Sequence, residues 1–85
     1  ISNITEIKDN ILIRNPASRF AYITNNKDTE LYIDGKNYRA TQIFSETLCK
    51  SRKVDIKQLI DISSESDKSL IIYMINNEIL LPAKE

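Results

Sequence analysis

The hydrophobic period of the chain changes near residue 41. Before that point apolar and polar residues alternate, which is typical of half-buried strands, and after it apolar residues recur every three or four positions, which is typical of helices. Alternation from Phe20 to Thr24 and from Glu30 to Ile33, around the polar run 25–29, predicts a β-hairpin with a five-residue loop. The pattern therefore predicts a β-ribbon followed by helices.

The loop length also predicts how the two hairpin strands pair. Placing Thr24 opposite Glu30 gathers four apolar side chains on one side of the ribbon and two tyrosines on the other. The predicted pairs are Ile23 with Leu31, Ala21 with Ile33, and Tyr22 with Tyr32.

The only glycine of the chain marks the next turn. Asp34-Gly35 between two strand-like runs predicts a two-residue turn with both residues at positive φ. The ribbon is then expected to continue through residues 36–39, with Tyr38 opposite Leu31 on the buried face.

The N-terminal residues give a short and mixed pattern. Residues 1–10, with Ser2 as an available cap, are predicted to form a short helix or a linker. The run Ile11-Leu12-Ile13 predicts a brief strand. The strand is expected to stop before Asn15-Pro16, where proline restricts the residue before it to extended geometry.

The first predicted helix begins after the cap Thr41 and ends near Lys50, Arg52 and Lys53, where cations suit the helix dipole. The side chains predicted to form its apolar stripe are Ile43, Phe44, Thr47 and Leu48.

The clearest helix start in the chain is Asp55. Its side chain can accept from the amides of the first turn, and Gln58 can return a bond to the cap amide. Val54 and Leu59 are placed for a hydrophobic staple. This second helix is predicted to run to about Ile62.

A third helix is predicted from about Ser66 to Asn76, ended by Asn76-Asn77 in left-handed geometry, with a final strand at 79–81 closed by Pro82. Its inward side chains are predicted to be Leu70, Ile71, Met74 and Ile75. The predicted fold is α+β and winged-helix-like over residues 11–85, with a β-meander followed by three helices and a short final strand.

Composition limits the chemistry that the chain can perform. The 85 residues include no histidine and one cysteine, Cys49, so imidazole metal ligands and the usual catalytic dyads are excluded. We therefore assign no catalytic, cofactor-binding or metal-binding residue. Twelve basic and twelve acidic residues cancel, and no apolar run approaches the roughly 18 residues of a membrane span. We expect a soluble, cytoplasmic protein that does not bind membranes.

Nucleic-acid binding is the main alternative, because a helix-turn-helix places its second helix in the major groove of DNA. The third helix, however, offers one cation on its outward face, which comprises Lys68, Ser69, Ile72, Tyr73 and Asn76. Asp61, Glu65 and Asp67 gather at its leading end, where they would repel phosphate. The charges argue against groove binding.

Two clusters of side chains are candidate interaction surfaces. Lys50, Arg52, Lys53 and Lys57 form a basic patch between the first two helices, which we interpret as a solvated helix end rather than a phosphate site. Phe20, Tyr22 and Tyr32 form an aromatic face. We interpret that face as a contact with another domain or with the first strand, rather than a stacking platform for bases.

Two short stretches carry a resemblance to a known family. Arg14–Tyr22 (RNPASRFAY) and Leu31–Gly35 (LYIDG) resemble the start of the C-terminal winged-helix domain of bacterial JmjC-type ribosomal oxygenases. The layout of the helices and of the Leu80-Leu81 ending is similar, so that the resemblance covers roughly Ile11 to Pro82. Near the end the chain departs from the family, because residues 77–80 read Asn-Glu-Ile-Leu where relatives tend to have a glycine and an aromatic residue.

The resemblance implies an enzymatic function for the parent protein and a non-catalytic function for this chain. The family consists of cupin-fold hydroxylases of ribosomal proteins that use iron and 2-oxoglutarate, and the ligands of both lie in the cupin, so none is carried over. The resemblance implies a non-catalytic accessory domain that packs against the rest of the parent enzyme or contacts its ribosomal protein substrate. A DNA-binding winged-helix domain of a transcription regulator and a free-standing protein-interaction module are the alternatives.

Overall fold

The computed structural model describes residues 1–25 and 28–83. Within these residues six strands and three helices form an α+β fold, as predicted. The elements are β1 (Ile11–Arg14), β2 (Phe20–Asn25), β3 (Asp28–Ile33), β4 (Lys36–Ala40), α1 (Gln42–Lys50), β5 (Lys53–Asp55), α2 (Ile56–Asp61), α3 (Glu65–Asn76) and β6 (Leu80–Pro82). Residues 1–10 contain a 3₁₀ helix, Ile4–Glu6, capped by Asn3 and not by Ser2.

The strands form two antiparallel three-stranded sheets. The meander has the order β2-β3-β4, as predicted, and the second sheet has the order β5-β1-β6. β1 is therefore the centre of the second sheet, where Leu12 pairs with Val54 on one side and Pro82 on the other. The sequence did not predict β5, because three residues with a single apolar side chain are too few to establish a strand pattern.

The register of the first hairpin differs from the prediction by one residue. Tyr22 lies opposite Leu31 and Thr24 opposite Thr29, because the strands continue to the pair Asn25–Asp28. The additional ladder step and a 3.0 Å hydrogen bond between the hydroxyls of Thr24 and Thr29 favour this register. Since side chains alternate across a strand, a shift of one residue exchanges the faces of β2 relative to β3. Residues 26 and 27 of the predicted loop lie outside the described residues.

The second turn of the meander is as predicted. Asp34 and Gly35 both have positive φ, at 52° and 85°, as a two-residue hairpin turn requires. Tyr38 lies opposite Leu31. This tight turn determines the register of β3 and β4.

Helix α1 begins after the predicted cap, since the Thr41 side chain accepts from the Phe44 amide. Phe44 and Leu48 are buried as predicted, but Ile43 is 52% exposed and Ser45 is buried in its place. The prediction for Ile43 was wrong because α1 packs on β2 and β3 with the face of residues 44, 45 and 48.

The next two helices follow α1 in the predicted order. Asp55 caps α2 by accepting from the Gln58 amide at 3.1 Å, although the return bond from the Gln58 side chain is not formed among the described residues. The capping box occurs instead at α3, which begins earlier than predicted, between Ser64 and Asp67. Three residues, 62–64, connect the two helices, a length typical of a helix-turn-helix.

Helix α3 ends at Asn76, as predicted, but the left-handed residue is Glu78 and not an asparagine. Glu78 has φ 59°, whereas Asn77 has φ −103°. The amide of Ile79 donates to Met74 O at 2.8 Å and that of Glu78 to Ile75 O at 3.2 Å, which is the Schellman pattern. The chain therefore places a glutamate at a position that favours glycine.

Both sheets and all three helices contribute to one apolar core. Its buried residues are Leu12, Leu31, Ile33, Ala40, Phe44, Leu48, Val54, Ile56, Leu59, Leu70, Ile71, Met74, Ile79 and Leu80. Leu70, Ile71 and Met74 are buried as predicted, and Ile75 is only half-buried.

Candidate functional site

The predicted aromatic face is divided by the hairpin register. Phe20 and Tyr22 lie on the side of the meander that carries Leu31, whereas Tyr32 lies opposite Ala21 on the other side. The Tyr32 hydroxyl donates to the Glu30 carboxylate at 2.9 Å, and this bond raises the pKa of Tyr32. The prediction that Tyr22 faces Tyr32 was wrong, and the three aromatic residues do not form one surface.

Strand β2 instead presents an exposed edge. It is one of the two outer strands of the meander, and within the described residues no other strand pairs with its free side. Its residues Phe20–Asn25 include no charge, while Ile23 is 54% and Tyr22 37% exposed. Edge strands usually carry charges, prolines or bulges that prevent pairing with other chains. We name Phe20–Asn25 the β2 edge.

The outward face of α3 is partly covered by the N-terminal residues. The 3₁₀ helix Ile4–Glu6 packs against α3, and the Asn76 side chain hydrogen-bonds to both the backbone nitrogen and the carbonyl of Ile1. Tyr73 accepts from the Tyr38 hydroxyl at 3.2 Å. The face that a groove-reading helix needs is therefore occupied in part by the chain itself.

The charges on α3 are also arranged differently from the prediction. Lys68 is the single cation of the helix, and its ammonium group lies 3.6 Å from the Glu65 carboxylate. Asp67, predicted at the exposed leading end, is completely buried. It is hidden because its carboxylate accepts from Thr41 and Ser64, the caps of α1 and α3. Asp67 therefore joins two helix starts and does not face a ligand.

The four residues of the predicted basic patch are all exposed. Lys50 ends α1, Arg52 and Lys53 lie at the start of β5, and Lys57 is in the first turn of α2. Neither of the two ion pairs found among the described residues includes any of these four side chains.

The structure brings Arg52 of that patch together with two arginines that the sequence analysis did not group with it. Arg14, Arg19 and Arg52 line a groove of about 570 Å³ where β1 ends, and we name it the arginine groove. Arg14 and Arg19 are five residues apart, but Arg52 is distant from both in the sequence, so no local motif signals the cluster. Only the pairing of β1 with β5 brings them together.

Cys49 is half-buried close to this region. Burial raises the pKa of the Cys49 thiol, and the nearby Arg14 guanidinium opposes that rise. Reactive cysteines have a lowered thiol pKa. Cys49 packs against the apolar core, and its raised pKa disfavours the thiolate form.

Residues 1–25 and 28–83 lack two further features, a metal-binding cluster and a membrane-spanning helix. These residues contain no cluster of three or more cysteine, aspartate or glutamate side chains suited to a metal ion. None of the helices formed by them has the length and apolar character needed to cross a membrane.

Comparison of the chain with protein-family models, curated proteins and solved structures gives no match.

Proposed function

We propose that this chain is a non-catalytic accessory domain of winged-helix type that binds protein. The observation that carries the proposal is the β2 edge, which is exposed, uncharged and unpaired among the described residues. Such an edge can accept an extended segment of a partner as a further strand, with backbone hydrogen bonds giving affinity. Ile23 and Tyr22 supply apolar contacts on its two faces.

The winged-helix part of the proposal is supported by the order of the elements. Three helices are interrupted by β5 and followed by β6, and β1 lies between these two strands in the sheet. The three-residue connection of α2 to α3 is that of a helix-turn-helix. This spacing is also the observation that favours the second candidate function, which is DNA binding.

DNA binding is the weaker candidate because α3 is poorly suited to a groove. Part of its outward face is covered by residues 1–6, and its one cation, Lys68, is close to Glu65. DNA-binding proteins usually neutralise several phosphates with lysine and arginine side chains. Anisotropy with a labelled mixed-sequence duplex at low salt distinguishes the two functions. Tight binding that is lost on changing Lys50, Arg52 and Lys53 to glutamine would favour DNA binding.

The parent enzyme is proposed from the sequence resemblance alone. We propose that the domain belongs to a larger cupin-type ribosomal protein hydroxylase, in which iron and 2-oxoglutarate are held by the cupin. The sequence encoded upstream of Ile1 tests this proposal. A histidine and an acidic residue on one strand, with a second histidine later, are expected. Their absence would refute the parent class and leave the protein-binding proposal standing.

A lysine on the exposed edge tests the protein-binding proposal. We expect Ile23→Lys to weaken association with the upstream polypeptide, because edge lysines oppose the addition of a strand. Asn37→Lys is the matched control, since it adds the same charge to the same face of the meander on the opposite edge strand. A pull-down between the separately produced polypeptides is the measurement. Equal retention of Ile23→Lys and wild type would contradict the proposal.

A further inference from the structure

The arginine groove concentrates positive charge in a chain whose net charge is zero. Arg14, Arg19 and Arg52 line it together with Pro16, Ser18 and Phe20, and no carboxylate side chain of the described residues is part of the lining. Neither ion pair found among residues 1–25 and 28–83 includes one of the three arginines. Among the described residues, the groove lining therefore holds three cations and no carboxylate, and the nearby Asp34 carboxylate bonds to the Arg19 backbone.

Two of these cations lie directly opposite each other. The amide of Arg14 donates to the carbonyl of Arg52 at 2.9 Å, which extends the β1–β5 ladder one step beyond the pair Ile13–Lys53. Residues opposite each other in an antiparallel ladder place their side chains on the same face, and like charges there are destabilising. An anion bound between the two guanidinium groups would remove this repulsion.

Arg14 has unused hydrogen-bonding capacity. Its Nε is buried and has no hydrogen-bond partner in the described part of the chain, although buried polar atoms are rarely unpaired. Its guanidinium lies 5.1 Å from the centre of the Phe20 ring, which orients it by a cation–π contact. A planar guanidinium presents paired N–H groups that match the two oxygens of a carboxylate.

The loop that supports the groove is fixed by hydrogen bonds. The backbone amide of Asn15 donates to Ile79 O at 2.8 Å, and the Asn15 side-chain oxygen accepts from the backbone amide of Ala17 at 2.9 Å. The Arg19 amide donates to the nearby Asp34 carboxylate at 2.8 Å, and the Asp34 amide donates back to Arg19 O. A site organised before binding loses less entropy when the ligand is bound.

We propose that the arginine groove binds the carboxylates of an acidic, extended peptide segment of a protein partner, which rests on the proposed protein-binding function. Phe20 is both a wall of the groove and the first residue of β2, so the groove adjoins the end of the β2 edge. Pro16 and Phe20 offer apolar contacts to a peptide.

Fluorescence anisotropy of the whole chain with labelled peptides tests the inference. The probe is a short peptide of alternating glutamate and valine, compared with its glutamine counterpart and with a single-stranded oligonucleotide of similar length. The test variant is Arg19→Gln with Arg52→Gln, which leaves the half-buried Arg14 in place. The matched control is Lys36→Gln with Arg39→Gln, which removes two exposed cations of β4 outside the groove. Far-UV circular dichroism verifies that both variants are folded.

The inference predicts that the glutamate peptide binds wild type and the control variant equally, and binds the test variant about 10-fold more weakly. It also predicts stronger binding of the glutamate peptide than of the glutamine peptide at low salt. Equal binding of the two peptides, or unchanged affinity of the test variant, would overturn the groove assignment. If Ile23→Lys then still abolished peptide binding, the protein-binding proposal would stand. Tighter binding of the oligonucleotide would overturn both.

Discussion

The buried Asp67 carboxylate is the polar contact on which the arrangement of α1 and α3 most depends. It accepts from the Thr41 amide at 3.1 Å, from the Thr41 hydroxyl at 2.6 Å and from the Ser64 amide at 3.0 Å. Changing Asp67 to alanine leaves two backbone donors without their acceptor, and each orphaned donor costs about 1–3 kcal/mol. The expected loss in the free energy of unfolding is about 3–5 kcal/mol.

This loss is large for a chain of 85 residues, whose total stability is expected to be roughly 4–13 kcal/mol. Asp67→Asn retains one acceptor oxygen and should lose about 2–3 kcal/mol. Glu65→Gln is the control, because its side chain is 95% exposed in the same helical turn. It should change stability by less than about 0.5 kcal/mol.

Urea unfolding followed by far-UV circular dichroism measures these differences. A double-mutant cycle of Asp67→Asn with Thr41→Val isolates the contact between the two side chains, for which we expect a coupling of about 1–2 kcal/mol. A stability of Asp67→Ala within about 1 kcal/mol of wild type would refute the structural role of this carboxylate. So would a coupling energy close to zero.

Three further predictions concern other parts of the fold. Glu78→Gly should raise the free energy of unfolding by about 0.5–1 kcal/mol, because Glu78 has φ 59° and glycine adopts this geometry without strain. Urea titrations measure the change, and a loss of stability would contradict the Schellman assignment. Tyr73→Phe should lower the pKa of Tyr38, since the hydrogen bond to Tyr73 raises that pKa. Alkaline titration of tyrosinate absorbance measures the shift. An unchanged pKa of Tyr38 would contradict that cause. Burial raises the pKa of Cys49, so the folded state favours the neutral thiol. Its stabilising contribution is complete below the pKa of the unfolded thiol, about 8.5, and declines as the pH rises through the folded-state pKa. Wild type should therefore lose more stability than Cys49→Ala between about pH 7 and pH 10, and equal losses in urea titrations would contradict this.

Local chemistry explains which parts of the fold were predictable from the sequence. Thr41 and Asp55 cap helices as expected, and Asp34-Gly35 forms the expected turn. Each depends on groups within three residues of one another, so the sequence contains the whole cause. The α+β class follows from the same local periods.

The hairpin register and β5 depended on contacts between distant residues. Both registers keep alternate side chains on the same face of the hairpin, so the sequence pattern does not distinguish them. The choice depends on the contact between Thr24 and Thr29 and on the pair Asn25–Asp28. β5 is defined by its pairing with β1, since its three residues carry no pattern of their own.

The candidate sites were the least predictable features. Phe20, Tyr22 and Tyr32 were grouped by a register that the structure does not have. The arginine groove joins residues 14, 19 and 52, and only the β1–β5 ladder brings the last of these to the other two. Asp67 was predicted as a surface charge because the third helix was expected to begin at about Ser66, and the local sequence gives no sign of a partner at Thr41.

Amide hydrogen exchange tests most directly whether the chain binds protein through the β2 edge. The exchange of Phe20–Asn25 and of α3 is compared for the chain alone, with the upstream polypeptide, and with duplex DNA. We predict that the upstream polypeptide slows exchange in β2 and that DNA leaves α3 unchanged. Slower exchange in α3 with DNA, together with an unchanged β2 in the presence of the polypeptide, would contradict the account.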